Sequence, residues 1–340
     1  MKTLTTWHVF LAKIMTGFYF SKIQVQGKLS QKPTLYIASH RNGATDGQVY
    51  TWTLGKTPSL ISIQMLRKWF LRIIFDGIAV VRPVDTERYR ISADQVASPI
   101  EEAIKQISVG GSLCLMPEGT SEWGYRPQKY KQGMAKIVQE LKAKGIDFEV
   151  KAVGVFYTKP DGFRSRVSIV LAEPFLPESV EIDEIFHEMS DKLDEVSVNC
   201  QSVSEFNQRQ SFAWQQAQIA KQDYGLAFLS ADLNTTHLLY QPAQTPIWQS
   251  SIKNIIKFIF ALTFFPTVLF AKLAEKGADG RNNVTFFRLL GGFYGSILTL
   301  ILWFVLFFID LSLAMAWIIS AILSWYFYPE PMPKALKDNA

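Results

Sequence analysis

The chain has 340 residues, of which 48% are hydrophobic and 19% are charged, and its formal net charge is +5. This composition excludes a disordered tail protein, which would be poor in apolar residues, and a collagen-like fibre. Basic residues lie beside long apolar stretches, which favours a membrane surface over nucleic acid as a partner. The two cysteines, Cys114 and Cys200, lack metal-ligand spacing, so the sequence predicts no zinc site, no disulfide framework and a reducing compartment.

Residues 1–30 predict an amphipathic N-terminal helix. Apolar side chains recur at helical spacing from Trp7 to Tyr19, and Lys13 interrupts the run, which argues against a signal peptide. The helix could pack on its own domain or lie in a membrane interface, and both interpretations stay open.

Residues 31–250 predict an α/β domain with a polar helical extension. Up to about residue 175, short β-rich runs alternate with helical stretches, which favours a mostly parallel sheet flanked by helices. In such a fold, functional sites gather beyond the carboxyl ends of the strands. The predicted strands are Thr34–Ser39, Gly77–Val81, Ser112–Met116, Val150–Tyr157 and Val167–Leu171. The predicted helices are Asp46–Leu54, Leu66–Ile74, Ala93–Ile107 and Gly133–Lys144.

Residues 251–340 predict a helical, membrane-associated hydrophobic region. The run Phe258–Ala271 would be about 21 Å long as a helix, which is short of a hydrocarbon core of about 30 Å. Pro266 predicts a kink, so this segment could be re-entrant, interfacial or a single tilted pass. The stretch Leu289–Tyr328 has one charge, Asp310, and is too long for one comfortable pass. We expect two short passes or one bent helix, with Asp310 at a turn or facing protein.

The first candidate site follows the predicted strand Thr34–Ser39. His40 and Asp46 form the minimal pair for general-base catalysis, in which the carboxylate fixes the imidazole tautomer and stabilises the imidazolium. On a regular helix, side chains at this spacing would point about 120° apart, so the pair can meet only if the chain bends. Asn42 and Gly43 are turn-forming residues that allow the bend. Taken alone, such a pair is more often structural than catalytic.

Two further clusters also follow predicted strands. Pro117–Ser121 offers glycine, hydroxyl and backbone N–H groups that suit a phosphate or a hydroxyl, and Lys131 follows it. Arg82 ends the strand Gly77–Val81, where its guanidinium suits bidentate binding of a phosphate or a salt bridge within the domain. No Gly-x-Ser-x-Gly motif occurs and neither cysteine has a base nearby in sequence, so no covalent acyl-enzyme is predicted.

In this order, the clusters resemble those of the glycerolipid acyltransferases, the superfamily of glycerol-phosphate and lysophosphatidic acid acyltransferases. The resemblance covers roughly residues 30–175 and rests on four ordered motifs. The third of them is Phe-Pro-Glu-Gly-Thr-Arg-Ser in the family. The matching residues are, in motif order, His40 with Asp46, Gly77 with Arg82, Pro117–Ser121, and Val153–Tyr157.

The sequence departs from the family pattern at a few positions. Five residues separate His40 from Asp46 where the common motif has four, Met116 replaces the usual Phe, and Ser121 stands where the family has Arg. The residues that could compensate for this Arg are Arg41, Arg126 and Lys131. The longer spacing, and the segment Arg281–Phe286 that introduces the apolar region, resemble fungal and bacterial glycerol-3-phosphate/dihydroxyacetone-phosphate acyltransferases.

The resemblance implies a role for each matching residue. His40 would deprotonate the hydroxyl of the acceptor, Asp46 would hold His40, and Arg82 would bind the phosphate of the acceptor. The other residues expected to form the acceptor site are Glu118, Gly119, Thr120, Ser121, Arg41 and Lys131. The resemblance implies no cofactor and no metal.

The resemblance thus predicts a membrane-bound O-acyltransferase of phospholipid synthesis, with residues 31–250 as its acyltransferase domain. It would move a fatty acyl group from acyl-CoA or acyl-carrier protein to the hydroxyl of glycerol 3-phosphate. The alternatives are acylation of lysophosphatidic acid or another lysophospholipid, a tafazzin-like transacylase with a phospholipid donor, and a non-catalytic lipid-binding or scaffolding protein. The expected partners are the acyl thioester, the phosphorylated glycerol acceptor and membrane lipid. The expected location is the inner or plasma membrane, with the catalytic domain on the cytoplasmic face.

Overall fold

The computed structural model describes residues 1–81, 98–232 and 247–337. The strands are β1 (Lys22–Gln26), β2 (Thr34–Ala38), β3 (Leu60–Ser62), β4 (Ile78–Val80), β5 (Leu113–Leu115), β6 (Glu149–Tyr157) and β7 (Arg166–Leu171). The helices up to residue 232 are α1 (Thr6–Tyr19), α2 (Ala44–Leu54), α3 (Ile63–Arg67), α4 (Trp69–Ile74), α5 (Pro99–Ser108), α6 (Gly133–Ala143), α7 (Ile182–Asp194), α8 (Val203–Ile219) and α9 (Tyr224–Leu229). The C-terminal helices are α10 (Ile247–Thr263), α11 (Phe265–Glu275), α12 (Arg281–Ile309) and α13 (Leu311–Tyr326).

Five strands form the central sheet in the order β1-β7-β6-β2-β5. β1 pairs with β7, and β2 pairs with both β5 and β6, in parallel, whereas β6 and β7 are antiparallel. The predicted α/β fold with a mostly parallel sheet is therefore confirmed.

Side-chain alternation along β2 explains how the sheet is covered on both faces. Leu35 and Ile37 point into a core shared with α5–α8, whereas Tyr36 and Ala38 point into a second core with α1, α2 and the start of α12. Every residue of β2 is buried, as is usual for a parallel strand with helices on both faces. The loop that follows β2 therefore begins in the interior of the fold.

The observed elements differ from the sequence prediction in a few places. The half-exposed strand β1 and the short strand β3 were not predicted, because neither has a strong apolar run. β4 pairs with β3 outside the central sheet. The predicted helix Leu66–Ile74 is divided into α3 and α4 by the extended backbone of Lys68. Of the predicted helix Ala93–Ile107, residues 93–97 lie outside the described residues; α5 begins after a capping box of Ser98 and Glu101.

Helix α1 has two apolar faces with different surroundings. Leu11, Met15 and Tyr19 are buried in the core with α2, which confirms the packing interpretation for that face. Trp7, Phe10 and Ile14 are each about half exposed. The membrane-interface interpretation of this second face stays a prediction.

The C-terminal helices break at the two places where the sequence predicts it. α10 and α11 meet at an angle of 95° beside Pro266, and α12 and α13 meet at Asp310, whose side chain accepts the Leu313 N–H at 2.9 Å. With 29 residues, α12 is long and apolar enough to cross a membrane, by length and composition alone. Among the described residues, the bent α10–α11 pair passes the same test only if it is counted as one span.

Candidate active site

His40 and Asp46 meet at the carboxyl end of β2. The Nδ1 atom of His40 lies 2.9 Å from Oδ2 of Asp46, which requires the chain to turn sharply between them. Gly43 makes this turn with φ +54°, in the left-handed region, and α2 begins directly after it. Asp46 therefore lies in the first turn of α2, where the helix dipole favours a negative charge.

Asp46 is fully buried, and donors surround its carboxylate. Oδ2 accepts the backbone N–H groups of Arg41 at 2.7 Å and Asn42 at 2.8 Å, and Oδ1 accepts the hydroxyl of Tyr157 at 2.6 Å. Burial, together with the neighbouring Asp46 charge, holds the pKa of Tyr157 well above its ordinary value, so this hydroxyl stays a donor. These three hydrogen bonds therefore hold the carboxylate in one position.

The remaining nitrogen of His40 is available for chemistry. A carboxylate only accepts, so Nδ1 carries the proton toward Asp46, and Nε2 is left as a hydrogen-bond acceptor. Within the part of the chain that the structure describes, Nε2 has no hydrogen-bond partner. The side chain is 17% exposed, which is enough for a substrate hydroxyl to approach. This is the arrangement of a general base whose tautomer is fixed by the carboxylate at its other ring nitrogen.

Glu118 connects this pair to the loop after β5. Its Oε1 accepts the backbone N–H of His40 at 2.7 Å, and its Oε2 accepts that of Gln128 at 2.8 Å. Burial raises the pKa of Glu118, and these two N–H groups oppose that shift. Both oxygens are occupied, so the structure gives Glu118 a positioning function, which the sequence did not predict, and its expected role in substrate binding remains a prediction.

Gly119, Thr120, Ser121 and Lys131 are the other residues in or beside this loop that were expected to form the acceptor site. Gly119 has φ +67°, and a Cβ there would collide with the Lys131 ammonium. Lys131 and Thr120 are exposed, and Lys131 has no ion pair among the described residues. Ser121 accepts the side-chain amide of Asn282, at 2.6 Å on its carbonyl oxygen and 2.7 Å on its hydroxyl.

Arg41 points away from solvent. It is 1% exposed, donates from Nη2 to the carbonyl oxygen of Gly124 at 2.6 Å, and lies 4.7 Å from the ring centre of Trp123. Burial lowers the pKa of this guanidinium, and its Nε and Nη1 atoms have no hydrogen-bond partner among the described residues. Arg82, the expected phosphate ligand, lies outside the described residues.

The start of α12 forms a wall of the site that motif reasoning did not assign to it. Asn282 is bonded to Ser121 as above, and a Cβ on Gly43 would collide with the side chain of Asn283. Arg281 pairs with Asp161 at 3.2 Å and lies 5.7 Å from the ring centre of Trp123. The sequence signal was the polar segment Arg281–Asn283 directly before a long apolar run.

The described residues offer little for catalysis by a metal ion or by a cysteine thiol. No group of three His, Cys, Asp or Glu side chains there could hold a metal ion. Burial raises the pKa of both Cys114 and Cys200 to about 12, so neither thiol is an available nucleophile at neutral pH.

One comparison with known protein families agrees with the geometry at the level of the domain. The Acyltransferase family model matches residues 22–155, which contain His40, Asp46 and Glu118. This match supports the resemblance to the glycerolipid acyltransferase superfamily. The structure is also similar to the crystal structure of the 1-acyl-sn-glycerophosphate (LPA) acyltransferase PlsC from Thermotoga maritima. That likeness has 16% sequence identity and a TM-score of 0.41, and covers 55% of this chain and 76% of the other. None of the curated proteins compared matches the chain.

Proposed function

We propose that the protein is a membrane-bound O-acyltransferase that transfers a fatty acyl group from an acyl thioester to the hydroxyl of glycerol 3-phosphate. The observation that carries the proposal is the His40–Asp46 pair at the carboxyl end of a parallel strand, in which Nε2 of His40 has no hydrogen-bond partner within residues 1–81, 98–232 and 247–337. The match of residues 22–155 to the Acyltransferase family supports the reaction class.

The proposed reaction needs one base and no covalent acyl-enzyme. Nε2 of His40 takes the proton of the acceptor hydroxyl while that oxygen attacks the thioester carbonyl carbon. The new C–O bond forms, the C–S bond breaks, and the imidazolium returns its proton to the departing thiolate. Asp46, held by the donors described above, stabilises the imidazolium in between.

The choice of acceptor rests on charge and on resemblance. Lys131 stands exposed beside Gly119 at the edge of the site and suits the phosphate of the acceptor, together with Arg82. The five-residue spacing of His40 and Asp46 and the segment Arg281–Phe286 favour glycerol 3-phosphate. The donor would be acyl-CoA or acyl-carrier protein.

A membrane location suits this reaction, because acyl chains and acylated products partition into lipid. Exposed apolar side chains cover the C-terminal part of α12, from Ile297 onward, and much of α13, and α12 could cross a bilayer by its length and composition. We propose residues 251–340 as the membrane-associated region and the cytoplasmic face of an inner or plasma membrane as the location of the catalytic domain.

The test is acyl transfer by the purified full chain in detergent. Radiolabelled palmitoyl-CoA and palmitoyl-carrier protein are offered as donors, each with glycerol 3-phosphate or lysophosphatidic acid as acceptor. We expect turnover with glycerol 3-phosphate as the preferred acceptor. His40→Ala should lower it by about 10²–10⁴-fold, because the base is lost.

His187→Ala is the matched control, because His187 is an exposed histidine on α7, away from the site. Its activity should equal that of the wild type. Preference for lysophosphatidic acid would leave the mechanism unchanged but show that glycerol 3-phosphate is not the acceptor. Turnover with a phospholipid as the sole donor would indicate a transacylase. Full activity of His40→Ala would overturn the mechanism, and no turnover with any of these donors would favour a non-catalytic lipid-binding protein.

A further inference from the structure

A large cavity lies between α1, the C-terminal helices and residues 328–332. Its volume is about 990 Å³, at the upper end of the range for small-molecule sites. Most of its wall is apolar and aromatic. Its aromatic residues include Phe18, Phe163, Phe260, Phe264, Trp303 and Tyr328.

Charged side chains also line this cavity, and their balance is positive. The three carboxylates among them are all paired with arginine: Asp161 with Arg281, Glu275 with Arg288, and Glu330 with Arg166. Four lysines of the lining have no ion pair among the described residues: Lys159, Lys253, Lys257 and Lys272. The cavity therefore presents uncompensated positive charge next to an apolar interior.

The unpaired lysines come from both arms of the bent helix pair. Lys253 and Lys257 are one turn apart on α10, and Lys272 lies on α11 beyond the 95° bend. Both arms thus direct ammonium groups to the same apolar cavity. The chemistry that fits this arrangement is an amphiphile with an anionic head and hydrocarbon chains.

The catalytic pair lies outside this cavity, although Asp161 lines the cavity and also pairs with Arg281 at the wall of the candidate active site. Neither His40 nor Asp46 lines the cavity. The two sites are neighbours along α12, because Asn282 contacts the active-site loop and Arg288 lines the cavity. Six residues of helix correspond to about 9 Å.

We propose that this cavity binds an anionic phospholipid of the bilayer. The exposed apolar surfaces of α12 and α13 would place it beside a pool of such lipids. Its aromatic wall would hold the acyl chains, and Lys253, Lys257 and Lys272 would hold the phosphate. Free phosphate would leave the apolar wall unused, and a neutral phospholipid would leave the lysines without a counter-charge.

The test is native mass spectrometry of the full chain in detergent, with phosphatidylglycerol or phosphatidylcholine added. We expect one retained phosphatidylglycerol, bound about tenfold more tightly than phosphatidylcholine. The double variant Lys257→Gln/Lys272→Gln should remove this preference, because each lysine contributes on the order of a factor of five to binding of an anionic lipid. Equal retention of the two lipids by the wild type would overturn the proposal.

Lys276→Gln is the charge-matched control, because Lys276 is exposed at the end of α11 and does not line the cavity. It should bind as the wild type does. Gly292→Leu fills the cavity without changing charge, and a Cβ there meets only side-chain atoms at 3.8 and 3.9 Å. This variant should lose most of the retained lipid, with circular dichroism checking that it is folded; unchanged retention in the folded variant would contradict the proposal.

Two further results separate this site from the proposed catalysis. His40→Ala should retain phosphatidylglycerol as the wild type does, and loss of the lipid in that variant would place it in the active site instead. Lysophosphatidylglycerol should bind more weakly than phosphatidylglycerol. Tighter binding of this single-chain lipid would show that the cavity holds a single-chain lipid and not the proposed two-chain phospholipid.

Discussion

At the scale of single residues, Tyr157 is the donor on Asp46 that can be removed with the least disturbance. Tyr157→Phe takes away the hydroxyl 2.6 Å from Oδ1 and leaves the ring in place. We expect a loss of about 1.5–3 kcal/mol in the free energy of unfolding, because a buried charged acceptor loses its partner. Acyl transfer should fall roughly tenfold, because the base is held less precisely. Urea unfolding and steady-state kinetics measure both.

Tyr50→Phe provides the comparison for that change. Its hydroxyl is as deeply buried but donates to the carbonyl oxygen of Ser39 at 2.7 Å, not to Asp46. We expect it to cost about 1 kcal/mol of stability while kcat stays near the wild-type value. If both variants lost the same activity, the Tyr157 contact would have no particular importance for catalysis.

The two cysteines make a second prediction at this scale. Because burial raises the pKa of both thiols to about 12, Cys114 and Cys200 should not react with a disulfide reagent at pH 8 in the native protein. Both should react after denaturation, as counted by absorbance of the released thiolate. A hydroxylamine-sensitive acyl group on the native protein, absent from the Cys114→Ala/Cys200→Ala variant, would contradict direct transfer.

At the scale of elements, the start of α2 depends on Gly43. Ala at this position would need a positive φ and would collide with Asn283 of α12. We expect Gly43→Ala to cost about 1–3 kcal/mol of stability and most of the activity, because the turn that brings Asp46 to His40 is strained. Gly47→Ala lies one turn further on α2, where a Cβ meets nothing within 4 Å. It should keep activity and gain up to about 1 kcal/mol.

The contact of α11 with α12 is also set by small residues. A Cβ on Gly291 or Gly295 would collide with backbone oxygens of Phe270 or Pro266, as in close glycine-mediated helix packing. We expect Gly295→Val to separate the helices and lower the thermal unfolding midpoint in detergent, and Gly292→Ala on the same helix to leave it unchanged. A wild-type midpoint in Gly295→Val would show that this packing is not required.

Some elements could be predicted from local sequence patterns and others could not. The strands β2, β5, β6 and β7 were predicted because buried runs of apolar residues are local. The break at Asp310 was predicted because a charge is costly within an apolar helix. β1 could not be predicted in the same way, because it is half exposed and is stabilised by pairing with β7, far away in the sequence.

At the scale of the whole molecule, the candidate site was predictable only in part. His40 and Asp46 could be paired because both lie in one loop after a strand. The contacts of Tyr157 with Asp46 and of Asn282 with Ser121 join residues more than 100 positions apart, and no spacing rule reveals them. The cavity at the C-terminal helices could not be predicted for the same reason, because its lysines and aromatic residues come from five separate parts of the chain.

The exposed apolar side chains of α12 lead to a prediction for the whole molecule, namely that this helix anchors it in a membrane. Ile301, Phe304 and Phe308 on α12 are between 51% and 71% exposed, within a helix that is apolar along most of its length. Lysine costs about 2.5–3.5 kcal/mol at the centre of a bilayer and less toward a helix end, where its ammonium can reach the interface. We therefore expect the wild type to remain in the membrane pellet after alkaline carbonate extraction and the triple lysine variant to be released. The matched control places lysine at Val109, Leu176 and Val180, which are similarly exposed on the α/β domain, and it should stay in the pellet.

Release of the wild type would show that α12 does not anchor the protein. Release of the control would show that added charge weakens the membrane association wherever it is placed.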